Sequence, residues 1–494
     1  MKSMKRWMGA LLCLLLAAMG MTARAGEPRY VFLFIGDGMS YPQLQLAADY
    51  LGAIGGEGRA ALPPGIRQQQ WDDDPARLSF MDFSVTGTAT TWDADGLVPD
   101  SASTGTAMAT GTKTWSGWLG LDTWGERLES IAVKLRAQRG WRIGVVTTMN
   151  PNHATPATFY AHQEYRSSYY EIGVELIQSG FDYIAGGKLR EENGEDGDQR
   201  SLYALAQEAG YRVAFGGAEA EAVAAGGGRV ILADAQLMDS GAMDYVLDRE
   251  AGAWSLADYV EKGTEVLEGD PGFFLLCEGG QIDTACHAND AATAIAETLA
   301  FADAVQVAID FAAAHPDETL ILVTGDHETG GLTIGYAGTE YQTHLELLAR
   351  QRMSASRFEA QYAARYIREG TAFEEAMRDV EALFGLKAGG DEGDRLVLTG
   401  CELEQLREAY ELMLGGYDAQ QRTQAQALRY GGYNPFVVTV TRTLANQAGL
   451  DFTTFAHTGL PVAVFAEGTG AERFGGYYDN TQIYHRLAAL LGVE

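Results

Sequence analysis

The chain has 494 residues, of which 46% are hydrophobic and 21% charged, with 60 Gly and only 12 Pro. This composition excludes a disordered, collagen-like or disulfide-scaffold protein, and at roughly 150 residues per ordinary domain the length calls for one large α/β domain with insertions, or two to three units. Acidic side chains number 67 against 36 basic ones, a net charge of −31, and only seven of the basic residues are Lys. Such a field repels nucleic acid and anionic lipid, so no nucleic-acid-binding role is expected. It also repels phosphate, so an anion site here needs local cations or a placed Arg.

In chain order, Lys2, Lys5 and Arg6 precede an apolar run from Trp7 to Met21 and then Ala23-Arg24-Ala25, the small-x-small form of a cleavage site. Residues 1–25 therefore read as a signal peptide cleaved after Ala25, since a run of about 15 is short for a bilayer span of about 20. No other stretch reads as long and apolar enough to span. The expected product is periplasmic or secreted, with no membrane anchor. Without the leader, 32 basic face 67 acidic side chains, a charge of −35. Export permits disulfides, yet Cys277, Cys286 and Cys401 are an odd set, and the first two read as buried free thiols.

Short β-branched and apolar runs end in Gly, Asp, Glu or Asn: Tyr30 to Ile35, Ile143 to Thr148, Phe273 to Cys277 and Thr319 to Thr324. Runs of this kind suit strands buried on both faces. Helical spacing lies between them, most clearly from Ala291 to Ala314, which His315-Pro316 stops. The expectation is an α/β fold: a large, mostly parallel sheet sandwiched between helices. Ligands gather beyond the carboxyl ends of such strands, which puts Asp37, Glu278 and Asp326 on one rim. Gly52 to Asp74 and Asp391 to Asp394 read as surface loops. Ser354 to Glu369, Ala372 to Phe384 and Glu402 to Leu414 are amphipathic, so 335–433 reads as a helical insertion, a cap or crown, in a catalytic domain of 26–334 and 434–494.

Asp100-Ser101-Ala102-Ser103 opens a small-residue helix closed by Gly111. A helix amino end favours an anion beside the Ser101 Oγ, although an ordinary N-cap has the same look. Asp283 and His287, four apart, share one helix face and can bind one cation. Asp326-His327 sets a carboxylate and an imidazole at a strand end. His162, His315, His344 and His485 read as satisfied polar residues.

Gly-Asp-Gly at 36–38, Asp-Ser-Ala at 100–102, His-Ala-Thr-Pro-Ala at 153–157, Glu-Gly-Gly-Gln-Ile-Asp-x-x-x-His at 278–287, Thr-Gly-Asp-His-Glu at 324–328 and His457-Thr458-Gly459 follow in this order. Together they resemble the alkaline phosphatase family from residue 31 to about 470. The resemblance implies a phosphomonoesterase with two Zn²⁺ and one Mg²⁺ per chain, broad monoester specificity and a homodimer. It implies one zinc on Asp283, His287 and His457, a second on Asp37, Asp326, His327 and the Ser101 Oγ, and magnesium on Asp37, Thr155 and Glu278. Ser101 would be the nucleophile and Arg166 the phosphate clamp, with Asp100 orienting Arg166 and His153 nearby. Three divalent cations and Arg166 would then outweigh the four carboxylates, making a positive well in an acidic protein. His153 and Thr284 depart from better-known members: some relatives carry Asp at the first position, and many carry Lys, His or Trp at the second. A sulfatase is disfavoured because Cys/Ser-x-Pro-x-Arg is missing around Ser101. A diesterase is disfavoured by the presence of Ser101, Arg166 and Glu278, and a non-catalytic binding protein by an intact Ser101.

Overall fold

The computed structural model describes residues 26–59, 61–67, 77–226, 228–391 and 393–494. The leader assigned to residues 1–25 lies outside them, as do Ala60, Glu392 and residues 68–74 of the two expected loops. Among the described residues the strands are β1 Tyr30–Gly36, β2 Val85–Thr90, β3 Arg142–Thr147, β4 Tyr183–Gly186, β5 Arg212–Phe215, β6 Val230–Ala233, β7 Phe273–Gly279, β8 Thr319–Gly325, β9 Glu328–Thr329, β10 Leu332–Ile334, β11 Leu450–Phe452, β12 His457–Thr458, β13 Val462–Gly468 and β14 Gly476–Asp479. Ten of them form one sheet in the order β14-β2-β13-β8-β1-β7-β3-β4-β6-β5. Every neighbouring pair is parallel except the two that β13 makes with β2 and β8.

All seven residues of β1, β7 and β8 are buried, because helices cover both faces of the sheet. Alternation sends Phe32 and Phe34 into one apolar layer with Phe301, and Val31, Leu33 and Ile35 into the other with Ala102 and Met108. The helix Ala291–Ala314 has the bounds its spacing predicts, with Asp290 accepting from the Thr293 N–H at its start. It is also long and apolar enough to cross a bilayer, which corrects the expectation that no stretch beyond the leader is. Its 18-residue apolar window is 89% buried inside the protein, as suits a core helix.

A second correction concerns Gly52 to Asp74. A helix runs over Tyr41–Arg59, with a break at Gly55, where φ is 59°. The Gly-rich composition argues against a helix, but Leu51 is fully buried and Ile54 packs on the core, so tertiary contact overrides propensity. Cys277 and Cys286 are buried free thiols, as expected, and Cys401 is free and exposed.

After β8 the chain leaves the main sheet, and from β10 it runs into a long helical segment. Its longer helices there are Phe373–Phe384, Gly400–Leu414 and Pro435–Gln447. It returns at β11, which pairs antiparallel with β10, Leu332 opposite Phe452 and Ile334 opposite Leu450. This pairing brings together two points more than 100 residues apart in sequence.

Candidate active site

Register sets the rim. Gly36 stands opposite both Gly279 and Gly325 in the three central strands, so these strands end at one level. Asp37 and Asp326 follow immediately, and Glu278 is the last side chain of β7 before Gly279. All three are at most 1% exposed. No Cβ fits at Gly325, where it would lie 1.9 Å from the Met39 carbonyl oxygen, which explains the glycine ahead of Asp326.

Ser101 is the first residue of the helix Ser101–Thr110, whose N-cap Asp100 accepts from the Ser103 N–H at 2.9 Å. Asp100 also holds Arg166, its Oδ2 accepting from Arg166 Nη1 at 2.8 Å. Burial works against the Asp100 charge, but Arg166 and the backbone N–H groups of Ser103 and Gly117 hold its pKa below the ordinary value. The ordinary N-cap role therefore falls to Asp100, which frees the buried Ser101 Oγ to face His327 Nε2 at 3.2 Å.

Two of the imidazoles are held at Nδ1 by backbone carbonyls. His287 Nδ1 lies 2.7 Å from the Phe455 carbonyl and His457 Nδ1 2.8 Å from the Pro99 carbonyl. A carbonyl only accepts, so each Nδ1 carries a proton; burial works against a charged His287 ring, but Asp283 beside it pushes His287 up to about 8. The two Nε2 atoms are 3.1 Å apart, with Asp283 Oδ2 3.2 Å from the first and Oδ1 3.6 Å from the second. Two neutral rings cannot bond one another through these atoms, so either a proton on His287 or a cation between them must satisfy both. His327 stacks on His457 with centroids 3.6 Å apart. Its Nε2 is 3.4 Å from Asp37 Oδ1 and 3.3 Å from Asp326 Oδ2.

Three groups of donor atoms lie within 4.8 Å of one another: Asp283, His327 and His457; Asp37, Asp326 and His327; and Asp37, His153 and Glu278. Thr155 Oγ1 donates to Asp37 Oδ2 at 3.1 Å beside the last group. Asp37 Oδ1, Glu278 Oε1 and His153 Nδ1 are buried without a hydrogen-bond partner. Burial pushes Glu278 up to about 7 and, with repulsion from Asp283 and Glu278, Asp326 up to about 8. Asp37 rises well above its ordinary value by burial and by repulsion from Asp326, Asp283 and Glu278. Burial and the nearby Arg166 push His153 down to about 3, leaving a neutral ring that can donate a lone pair. Carboxylates packed this closely ionise together only beside compensating positive charge.

The alkaline phosphatase family model matches residues 28–493. The chain belongs to the alkaline phosphatase family. It is 30% identical over 464 residues to Alkaline phosphatase 4 of Bacillus subtilis, covering 92% of this chain and 87% of that one. A cold-active alkaline phosphatase of Shewanella superposes with a TM-score of 0.72 at 28% identity, over 94% of this chain and 99% of that one. The Thermus thermophilus alkaline phosphatase, at 24% identity, shares the fold with a TM-score of 0.75 over 96% and 93% of the two chains. The family hydrolyses phosphomonoesters and depends on metals.

In this alkaline phosphatase the sequence-derived residues converge: Asp37, Ser101, Thr155, Glu278, Asp283, His287, Asp326, His327 and His457 share one rim, with Asp100 and Arg166 paired beside it. His153, expected near phosphate, has its ring nitrogen grouped with Asp37 and Glu278. Four supporting residues escaped the sequence reading. Glu328 is fully buried; its Oε1 accepts from Gln43 Nε2 at 2.9 Å and the Leu332 N–H at 3.1 Å, and its Oε2 from the Gly331 N–H at 3.1 Å and from the Thr458 hydroxyl. Thr329 donates its hydroxyl to Asp283, and Thr147 donates to Glu278. Glu328 could have been noticed, since it completes Thr-Gly-Asp-His-Glu; Gln43, Thr147 and Thr329 carry no signal outside the fold. Among the four other histidines, His162 bonds Glu175 and the Leu128 carbonyl, whereas His344 Nε2 is buried without a partner.

Proposed function

We propose that this chain hydrolyses phosphate monoesters through a phosphoserine on Ser101, with two Zn²⁺ and one Mg²⁺ per chain. The observation that carries this reading is the donor set around Ser101: converging Nε2 atoms of His287 and His457, and buried Asp37 Oδ1 and Glu278 Oε1 without hydrogen-bond partners. The first zinc falls to Asp283, His287 and His457, and the second to Asp37, Asp326, His327 and the Ser101 Oγ. Magnesium falls to Asp37, Thr155 and Glu278, an oxygen-only set suited to a hard cation, whereas imidazole suits zinc. When bound, these cations neutralise the phosphoryl charge and acidify the hydroxyl groups beside them.

The chain's own residues do the rest. Arg166, steadied by Asp100, holds two non-bridging phosphoryl oxygens through its planar fork. Ser101 gives up its proton and its Oγ bonds phosphorus from the side opposite the departing alcohol oxygen, which takes up a proton. Water then attacks the phosphoserine, the Oγ–P bond breaks, and inorganic phosphate leaves with Ser101 restored. The grip is on the phosphoryl group, which favours broad monoester specificity. Export through a leader cleaved after Ala25, to periplasm or medium, rests on the charge and apolar pattern of residues 1–25; the homodimer rests on the family likeness. The division into a catalytic domain of 26–334 and 434–494 with 335–433 inserted rests on the sequence pattern; the β10–β11 pairing supports an excursion but closes it at 335–449, with the helix Pro435–Gln447 inside.

Metal analysis with turnover before and after chelation tests the reading, together with acid-trapped phosphorylation. Zinc near two per chain, loss of turnover on chelation, and a phosphoserine absent from Ser101→Ala are expected. Full turnover after chelation, or in Ser101→Ala, refutes it.

A further inference from the structure

A cavity of about 280 Å³ adjoins the site, sharing His287 with it. Ser101 touches His327, His327 stacks on His457, and His457 meets His287 with centroids 5.0 Å apart. His287 is thus the imidazole farthest along this row from the nucleophile. In-line displacement sends the leaving oxygen to the side of phosphorus opposite the attacking one, which along this row is the His287 side, and His287 also lines the cavity.

The walls state a preference. Tyr245, Tyr433 and Val437 line it, together with Thr284, whose hydroxyl donates to Gln281 Oε1 at 2.6 Å. The Tyr433 ring stacks on Phe455, centroids 5.7 Å apart, and the Phe455 carbonyl holds His287 Nδ1, so one wall is braced against the site itself. Glu359, exposed, is the one carboxylate in the lining. Glu359, Tyr433 and Val437 all come from the chain between β10 and β11, so the helical segment supplies much of the cavity.

We propose that this cavity receives the alcohol part of the substrate and selects uncharged or cationic ring-bearing alcohols over small aliphatic and anionic ones. Its volume suits one ring or a fused pair, apolar walls gain from covering it, and Glu359 repels a carboxylate or a second phosphate. This inference rests on the phosphomonoester reading above.

The test compares kcat/KM for 2-phenylethyl phosphate and ethyl phosphate, whose alcohols are of similar acidity, so that chemistry alone gives similar rates. The wild-type ratio should be about tenfold or more, the scale on which apolar pockets discriminate. Val437→Trp, which fills the cavity, and Tyr433→Ala, which removes a wall, should each bring the ratio towards one. A ratio is independent of the fraction of enzyme that folds. In a second arm, Glu359→Gln should raise kcat/KM for 4-carboxybenzyl phosphate relative to benzyl phosphate. A wild-type ratio near one with Ser101-dependent turnover, or a ratio indifferent to both variants, overturns the cavity assignment alone. Absence of turnover on every ester overturns the phosphomonoester reading beneath it, and the assignment with it.

Discussion

Glu328→Gln is the sharpest probe of how the site is held. The carboxylate takes four donors, two on each oxygen, with no exposure to water. An amide keeps one acceptor and turns two donors of its own towards the other pair. If the amide nitrogen faces Thr458, that hydroxyl can rotate to accept, but the Gly331 N–H is left against another donor. One orphaned buried N–H costs about 1–3 kcal/mol, and weakening the remaining charge-assisted bonds to neutral ones adds a further fraction, so about 3 kcal/mol of destabilisation is expected. Glu328 also ties Thr458 to β9, where His457 pairs with Thr329 and Thr458 with Glu328. Loosening that two-residue ladder lets the His457 ring drift, so zinc affinity should fall about 10- to 100-fold, as for other supports behind metal ligands. Denaturant midpoints and zinc titration of the purified variant check both. A variant within about 0.5 kcal/mol of wild type that retains normal zinc affinity would show that Glu328 only fills space.

Other outcomes follow from the same geometry. Chelation should lower the thermal midpoint as well as turnover, since a ligand present at about 1,000 times its Kd stabilises by about 4 kcal/mol; a midpoint indifferent to chelator contradicts metal binding at this rim. Arg166→Lys keeps the charge but loses the fork, and losing one charge-assisted bond of about 1.5–3 kcal/mol should lower kcat/KM about tenfold or more; an unchanged value removes Arg166 from the clamp. Glu297 is buried, accepts from the Val246 N–H at 2.6 Å, and is pushed by burial from an ordinary 4.5 up to about 8. Between those values the folded chain keeps a proton that the unfolded chain has lost, so stability falls as pH rises from about 4.5 to about 8 and then levels. Glu297→Gln stays neutral, so its urea midpoint should gain on wild type between pH 5 and pH 9; a constant difference refutes this.

Much of this was legible because each motif sits where a strand stops. Gly36-Asp37-Gly38 and Gly325-Asp326-His327 announce buried strands ending in ligands, and the parallel pattern then forces them to one rim. Asp283 and His287 needed only helical spacing. His457 is different: no periodicity marks it, and it arrives through β12, a two-residue strand paired with a segment lying across the whole helical excursion. Family resemblance, and not local pattern, found it. Glu328, Thr329, Gln43 and Thr147 act through contacts between residues up to about 285 positions apart, which no window on the sequence samples. The Gly-rich stretch after Leu51 failed for the opposite reason, since its composition is a true local signal that packing overrules.

The register of the central strands also governs when the enzyme can exist. β1 is made first and lies in the middle of the sheet, yet the strands on either side of it, β7 and β8, are synthesised roughly 240 and 290 residues later. Contacts of such separation form slowly, and until they do the apolar strand from Tyr30 to Gly36 has no native neighbour. The last of the candidate ligands, His457, emerges with over nine-tenths of the chain already made. No amino-terminal fragment shorter than that carries the full set of ligands. Assembly of the rim is therefore a late event, and cation capture and completion of folding coincide.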